Sequence, residues 1–159
     1  MATERADTDR DSLASARVLV VGAGATGGVA AMLLAQAGAG SLGIVDEAPG
    51  RADALAERLG LLAPQTLVEP YPARIERFNA EAIALGSDFV LDCSGDAATH
   101  AVLEEACTAL GIALVGAESS PSEDPGAGPR AAVATGARTA LAVLELSSRP
   151  SATAREAVG

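Results

Sequence analysis

Apolar positions come in two alternating patterns along this chain. Arg17-Val18-Leu19-Val20-Val21 is a continuous aliphatic run that stops at Gly22, which is how a strand covered on both faces reads. Residues 26–36 follow with small side chains on one helical face and Met32, Leu33 and Leu34 for packing, and Gly38 and Gly40 end that pattern. The alternation repeats. Strands are predicted at 42–46, 66–71, 88–93 and 112–116, the strand at 66–71 at a sheet edge because it carries Pro70 and is followed by Pro72. Helices are predicted at 51–62, where Leu55, Leu59 and Leu62 recur at helical spacing, at 79–86 with Asn79 as N-cap, at 97–110, and at 131–146. Residues 1–15 read as a polar arm or a short helix, 118–130 as an acidic turn-rich loop, and 147–159 as a tail. One domain over 16–146 remains.

Strands alternating with helices at this spacing predict an α/β fold: a single doubly wound, Rossmann-like domain with a mostly parallel sheet of five strands and helices on both faces. The length of 159 residues suits one core and leaves no room for a separate substrate domain. Aromatic residues are only 2% of the chain, so the core must be built from Ala, Val, Leu and Ile.

Charge narrows the function. The net charge is −10, and every one of the 11 basic residues is arginine. A phosphate-binding Walker lysine, a Schiff-base lysine and a lysine base are therefore excluded, and neither nucleic acid nor an anionic membrane is an expected partner. Two cysteines and one histidine rule out a four-cysteine zinc site, a histidine metal cluster and a disulfide framework. The polar start MATERADTDRDS does not resemble a signal peptide, so the expected location is cytoplasmic.

Candidate chemistry begins at the first strand's end. Gly22-Ala23-Gly24-Ala25-Thr26-Gly27 follows a strand and opens a helix. Gly22 permits the tight turn, Gly24 lets a phosphate approach the backbone, and Gly27 lets the helix close on the strand, while Ala25 and Thr26 begin a helix with free N–H groups. Asp46 ends the second strand about 20 residues further on, where a carboxylate accepts hydrogen bonds from ribose hydroxyls and repels a 2′-phosphate. Ser94 and Asp96 stand at the end of the fourth strand, where ligands bind in open α/β sheets, with helix capping as the alternative. Cys93 and Cys107 read as packing residues and His100 as a solvent-facing side chain. The glycine motif and Asp46 leave ATP and NAD both open.

Further segments separate the two. Ala37-Gly38-Ala39-Gly40-Ser41-Leu42-Gly43-Ile44-Val45-Asp46 resembles the "A-G-V-G-x-L-x-L-V-D" stretch of the ThiF/MoeB/HesA superfamily, the bacterial relatives of ubiquitin-activating enzymes. Asp88-Phe89-Val90-Leu91-Asp92-Cys93-Ser94 resembles its "D-x-V-L-D-C-T" strand, Ala63-Pro64 its "N-P", and residues 103–116 and 129–146 its later strand and last helix. The resemblance implies binding of ATP with magnesium and adenylation of the C-terminal glycine of a ubiquitin-like or sulfur-carrier protein. It also implies dimerisation.

The sequence departs from that pattern at the reacting phosphate. The family's "S-N-L-x-R-Q" segment after the second strand is missing, its lysine position falls on Arg51, and its magnesium-binding Asp falls on Gly95, with Asp96 one residue later. The arm "R-Y-x-R-Q" is not recognisable, and the family's zinc cysteines are replaced by the loop before the last helix, so no zinc is expected. Losing one preorganised contact to a reacting centre costs about 2.7–4 kcal/mol of barrier. The expectation is therefore a degenerate or partner-dependent member, with Arg51 and Asp96 as candidate catalytic replacements. The alternatives are a non-catalytic scaffolding subunit of an activating complex and an NAD-binding Rossmann oxidoreductase.

Overall fold

Successive residues of the first strand face two different cores, and the whole architecture follows from that. In the computed structural model, which describes residues 12–116 and 128–149, β1 (Arg17–Val21) points Val18 and Val20 to one side and Leu19 and Val21 to the other. The chain continues as α1 (Ala25–Ala37), β2 (Ser41–Val45), α2 (Arg51–Leu62), β3 (Leu67–Tyr71), α3 (Ala80–Ala84), β4 (Phe89–Asp92), α4 (Ala97–Leu110), β5 (Ala113–Gly116) and α5 (Gly128–Ser147). The five strands form one sheet in the order β3-β2-β1-β4-β5, and every pairing is parallel. This is the expected doubly wound α/β fold, with the order reversing between β1 and β4.

One face of the sheet carries Val18, Val20, Leu42, Ile44 and Leu91 against α1, α2 and α5. The other carries Leu19, Val21, Val45 and Val90 against α3 and α4, through Ala80, Ala84, Leu103, Ala106 and Cys107. Small residues make the packing close. Gly136 of α5 lies against the first turn of α1, where an added Cβ would come within 2.6 Å of the Thr26 carbonyl oxygen and 2.9 Å of Val29 Cβ. The final helix therefore rests directly on the start of the helix that the glycine motif opens.

Several boundaries move. Strands β2, β3, β4 and β5 are each displaced or trimmed by a residue at one or both ends relative to the sequence expectation, and helix α1 is a residue longer at each end. The helix expected at 79–86 is shorter, at Ala80–Ala84. Asn79 precedes it without a capping bond from its side chain. Its Oδ1 instead accepts the Glu76 N–H, and its Nδ2 donates to the Arg74 carbonyl, both at 2.8 Å. The last helix begins at Gly128, not at 131, because proline is tolerated in a first helical turn, where its missing N–H has no partner to lose. Leu13, assigned above to a polar arm, is buried, and its carbonyl accepts N–H bonds from Ala16 and Gly40. Residues 1–11, 117–127 and 150–159 lie outside the described part, and with them most of the predicted acidic loop, arm and tail. Among the described residues no helix is long and apolar enough to cross a membrane.

Candidate functional site

The C-terminal ends of β1, β2, β3 and β4 surround a cleft of about 240 Å³. Gly22, Asp46, Arg51, Arg74, Ser94 and Asp96 are among its lining residues. It sits at the switch point of the sheet, where the loops leaving neighbouring strands diverge to opposite faces and leave room for a ligand.

Its floor is the glycine turn. Gly22 has φ +100°, and a Cβ there would meet the Cys93 carbonyl oxygen at 2.6 Å; its N–H donates to the Val45 carbonyl at 2.8 Å. A side chain at Gly27 would be 1.7 Å from the Gly22 carbonyl oxygen, so α1 can begin here only from glycine. Gly24 differs: nothing lies within 4 Å of where its Cβ would be, and with Ala25 it is exposed. Two glycines close the turn onto the sheet and the third keeps its outer side open. Ala25 and Thr26 begin α1 at the rim and do not line the cleft itself. Their N–H groups belong to the first turn of a helix and have no acceptor four residues back.

Asp46 is the pivot of the site. Its side chain is only 8% exposed, and both oxygens are engaged. Oδ2 accepts the Ala23 N–H at 2.8 Å, and Oδ1 accepts the Ala48 N–H at 2.8 Å. The carboxylate thus ties the end of β2 to the middle of the glycine turn and also shapes its own loop. Arg51 Nη1 stands 3.6 Å from Oδ2. Arg51 is the first residue of α2, delivered there by Gly50 at φ +75°, and its side chain is 56% exposed toward the cleft.

A second arginine faces it, one the sequence reading did not single out. Arg74 lies in the segment after β3, lines the cleft, and has Nε 3.8 Å from Glu47 Oε2. The Asn79 side chain holds that segment through the Arg74 carbonyl. Position alone could have flagged it, since it closely follows a strand's C-terminal end, but no periodicity marks it.

On the β4 side, Asp96 caps α4. Its Oδ2 accepts the Thr99 N–H at 3.2 Å and the Thr99 hydroxyl at 2.7 Å. These bonds to Thr99 hold its carboxyl below the usual aspartate range. The capping alternative therefore describes Asp96, and its position still lines the cleft. Ser94 turns inward: its hydroxyl donates to Asp92 Oδ1 at 2.6 Å and accepts the Asp96 N–H at 3.3 Å. Gly95 between them has φ +68°. Cys93 is partly buried beneath the turn, and desolvation followed by the Asp92 charge pushes its thiol up to about 12. A thiolate nucleophile is excluded there at neutral pH.

His100 is not the unpartnered surface residue the sequence suggested. Its Nδ1 is 2.7 Å from Asp92 Oδ2, a contact that needs the turn between β4 and α4 to bring positions 92 and 100 together. Among the described residues no group of three or more His, Cys, Asp and Glu side chains is arranged to hold a metal.

The sequence profile of the ThiF family matches residues 2–127. Among curated proteins, the adenylyltransferase and sulfurtransferase MOCS3 of Drosophila grimshawi is 38% identical over 122 residues, covering 65% of this chain and 27% of that protein. The SAMP-activating enzyme E1 of Haloferax volcanii is 34% identical over 122 residues, covering 65% of this chain and 45% of that one. The chain thus spans less than half the length of either relative. Among solved structures, E. coli tRNA N6-threonylcarbamoyladenosine dehydratase, TcdA, superposes with a TM-score of 0.77 at 17% identity over 95% of this chain and 91% of that one. A structure of TcdA in complex with ATP matches at TM-score 0.63 and 23% identity over 68% of this chain and 53% of that chain. At those identities the likeness is one of fold.

Proposed function

Because the chain belongs to the ThiF family, we propose that it binds ATP in the cleft between β1 and β4 and, together with a partner, activates a carboxylate as its acyl adenylate. The observation that carries this reading is the pair of arginines, Arg51 and Arg74, lining one cleft whose floor is a glycine turn open at Gly24. A triphosphate carries several negative charges, and transfer at its α-phosphorus needs preorganised cations. With no lysine in the chain, these two side chains are the cations the cleft offers.

The residues present fit the nucleotide. The first turn of α1, from Ala25, supplies N–H donors and the positive end of a helix dipole. Asp46 fixes the turn and retains lone pairs at the rim for ribose hydroxyls. Asp96, kept ionised by Thr99, places a carboxylate opposite the arginines. Magnesium would arrive with the phosphates, since Mg²⁺ is commonly bound by one or two carboxylates plus substrate phosphates.

In the reaction a carboxylate oxygen attacks the α-phosphorus and pyrophosphate leaves. The substrate class is the one the family resemblance implies, the C-terminal glycine of a ubiquitin-like or sulfur-carrier protein, and relatives named as an adenylyltransferase and sulfurtransferase and as a SAMP-activating enzyme support it. The segment absent after Asp46 is the reason to assign a partner, either a second copy or a catalytic subunit, in the cytoplasm.

Calorimetry with ATP, with ATP and magnesium, and with NAD tests the proposal. Magnesium-dependent ATP binding, lost in Arg51→Ala and Arg74→Ala together, is the expected outcome. Binding of NAD without ATP would overturn it. Pyrophosphate exchange with a peptide ending in Gly-Gly then reads adenylation directly, and its absence both alone and with a partner would leave a nucleotide-binding scaffold.

A further inference from the structure

His100 is the chain's single histidine, and nothing above uses it. Its Nδ1 lies 2.7 Å from Oδ2 of Asp92, the last residue of β4. Asp92 is buried, and its other oxygen is already taken by the Ser94 N–H at 3.0 Å and the Ser94 hydroxyl at 2.6 Å. With Oδ1 accepting both Ser94 donors, the pairing that completes the carboxylate is the ring N–H at Nδ1 donating to Oδ2, and this is the tautomer the proposal takes. In the neutral imidazole this leaves the Nε2 lone pair outward.

The ring is held yet open. Its side chain is 44% exposed. Across the β4–β5 pairing, Gly116 is the register partner of Asp92, and a Cβ there would come within 3.1 Å of His100 Cε1. A glycine at the end of β5 therefore makes the space the imidazole occupies. Thr99, the neighbour of His100, lines the nucleotide cleft, whereas His100 stands toward β5 on the same C-terminal edge. A substrate bridging the switch point would place its nucleotide over β1 and β2 and its acyl half on this side.

We propose that the Asp92–His100 pair is the general base for transfer of the acyl group from its adenylate to an amine or a thiol. This rests on the adenylation reading for its substrate. Adenylation itself needs no base at this position, because a carboxylate attacks already ionised. An amine or thiol nucleophile has a proton to lose as it attacks the acyl carbon. The new C–N or C–S bond forms, the C–O bond to AMP breaks, AMP leaves with that electron pair, and the proton passes to His100 Nε2 and then to water. Asp92 is the positioning residue, since it fixes the tautomer and steadies the charged ring. The other charged groups near the ring along α4 are Asp96, one turn before it, and Glu104, one turn after; Gly116 of β5 brings none.

Synthetic N-acetylglycyl adenylate with cysteamine as acceptor, given to the full chain, tests the step without the first half-reaction. The wild-type protein should accelerate AMP release over buffer, with a rate that rises through the titration of a single group. His100→Gln should lower the maximal rate about 10²–10⁴-fold with little change in the concentration of adenylate that half-saturates it. Asp92→Asn should lose rate as well, because the amide offers the ring the wrong partner. Added imidazole should restore part of the rate to His100→Gly and none to Asp92→Asn. Circular dichroism melting separates misfolding from loss of the base. Equal rates in wild type and a folded His100→Gln would overturn the proposal, as would a wild-type protein no faster than buffer. Pyrophosphate exchange, measured in parallel with the partner present, should stay within about 2-fold in His100→Gln; its absence in the wild type both alone and with a partner would sink the adenylation reading while the transfer assay still decides the base.

Discussion

Asp46 Oδ2 accepts the N–H of Ala23 at 2.8 Å, so a carboxylate at the end of the second strand fastens the glycine turn that follows the first. The residue placed by sequence at a ribose thus has a prior task within the fold. Asp46→Ala should cost about 1–3 kcal/mol in urea unfolding, because two partly buried backbone donors lose their acceptor. It should also abolish ATP binding. Asp46→Asn keeps one oxygen acceptor and should fall between the two in both measurements. Full ATP affinity in Asp46→Ala would show that the turn holds itself.

The middle and last glycines of the motif should respond in opposite ways. Gly27→Ala puts a methyl group 1.7 Å from the Gly22 carbonyl oxygen, and destabilisation of about 3 kcal/mol or more is expected. Gly24→Ala meets nothing in the protein, and stability should hold within about 1 kcal/mol, the scale of a weaker helix cap. Its effect should fall on nucleotide affinity, which calorimetry reads. Equal effects on folding from both variants would contradict the geometry.

Arg74 and Arg51 should matter to ligand and little to folding. Both are more than half exposed; the Arg74–Glu47 pair at 3.8 Å lies at the surface, and the Arg51–Asp46 contact at 3.6 Å is longer than a hydrogen bond. Arg74→Ala should change unfolding free energy by less than about 0.5 kcal/mol. It should weaken ATP binding roughly 10-fold, or about 1.4 kcal/mol. The loss should shrink as ionic strength rises, since exposed charges are screened. An unchanged ATP affinity for the double variant would remove the arginines from the site.

Cys93 supplies a test in alkali. Its thiol titrates near 12 in the folded protein against 9.0 for an ordinary thiol. Between those values the native state retains a proton that the unfolded chain has lost. Stability is therefore fully present below about pH 9 and falls as pH rises toward 12, by at most about 1.4 kcal/mol per pH unit from this group. Cys93→Ala should flatten that decline without removing it, because burial also raises Cys107 and the Glu69 hydrogen bond raises Tyr71. Iodoacetamide at pH 8 should leave Cys93 unmodified until denaturant is added.

What could be read from the sequence is what short range dictates. A strand covered on both faces needs an unbroken apolar run, and Val18–Val21 and Val90–Leu91 supply it, so strand number and the parallel sheet were legible. Gly22 and Gly27 were legible because their spacing is the mechanism of the turn itself. Arg74 was not, since it lies in an irregular segment whose path is set by the Asn79 side chain, a bond no local pattern announces. Neither was the Asp92–His100 contact. It depends on how Gly95, at positive φ, redirects the chain from β4 into α4. The start of α5 was placed late because Gly128-Pro129 reads equally as a turn or as a first helical turn, and only packing on α1 chooses.

That packing has a consequence in time. Gly136 meets the first turn of α1 across more than a hundred intervening residues. During synthesis the helix that the glycine motif opens must wait, with Thr26 and Val29 uncovered on the side that meets Gly136, until α5 has left the ribosome. Contacts so distant in sequence close late, after the local ones. The glycine turn, made well before the helix that rests on it, should be among the last parts of the domain to become rigid.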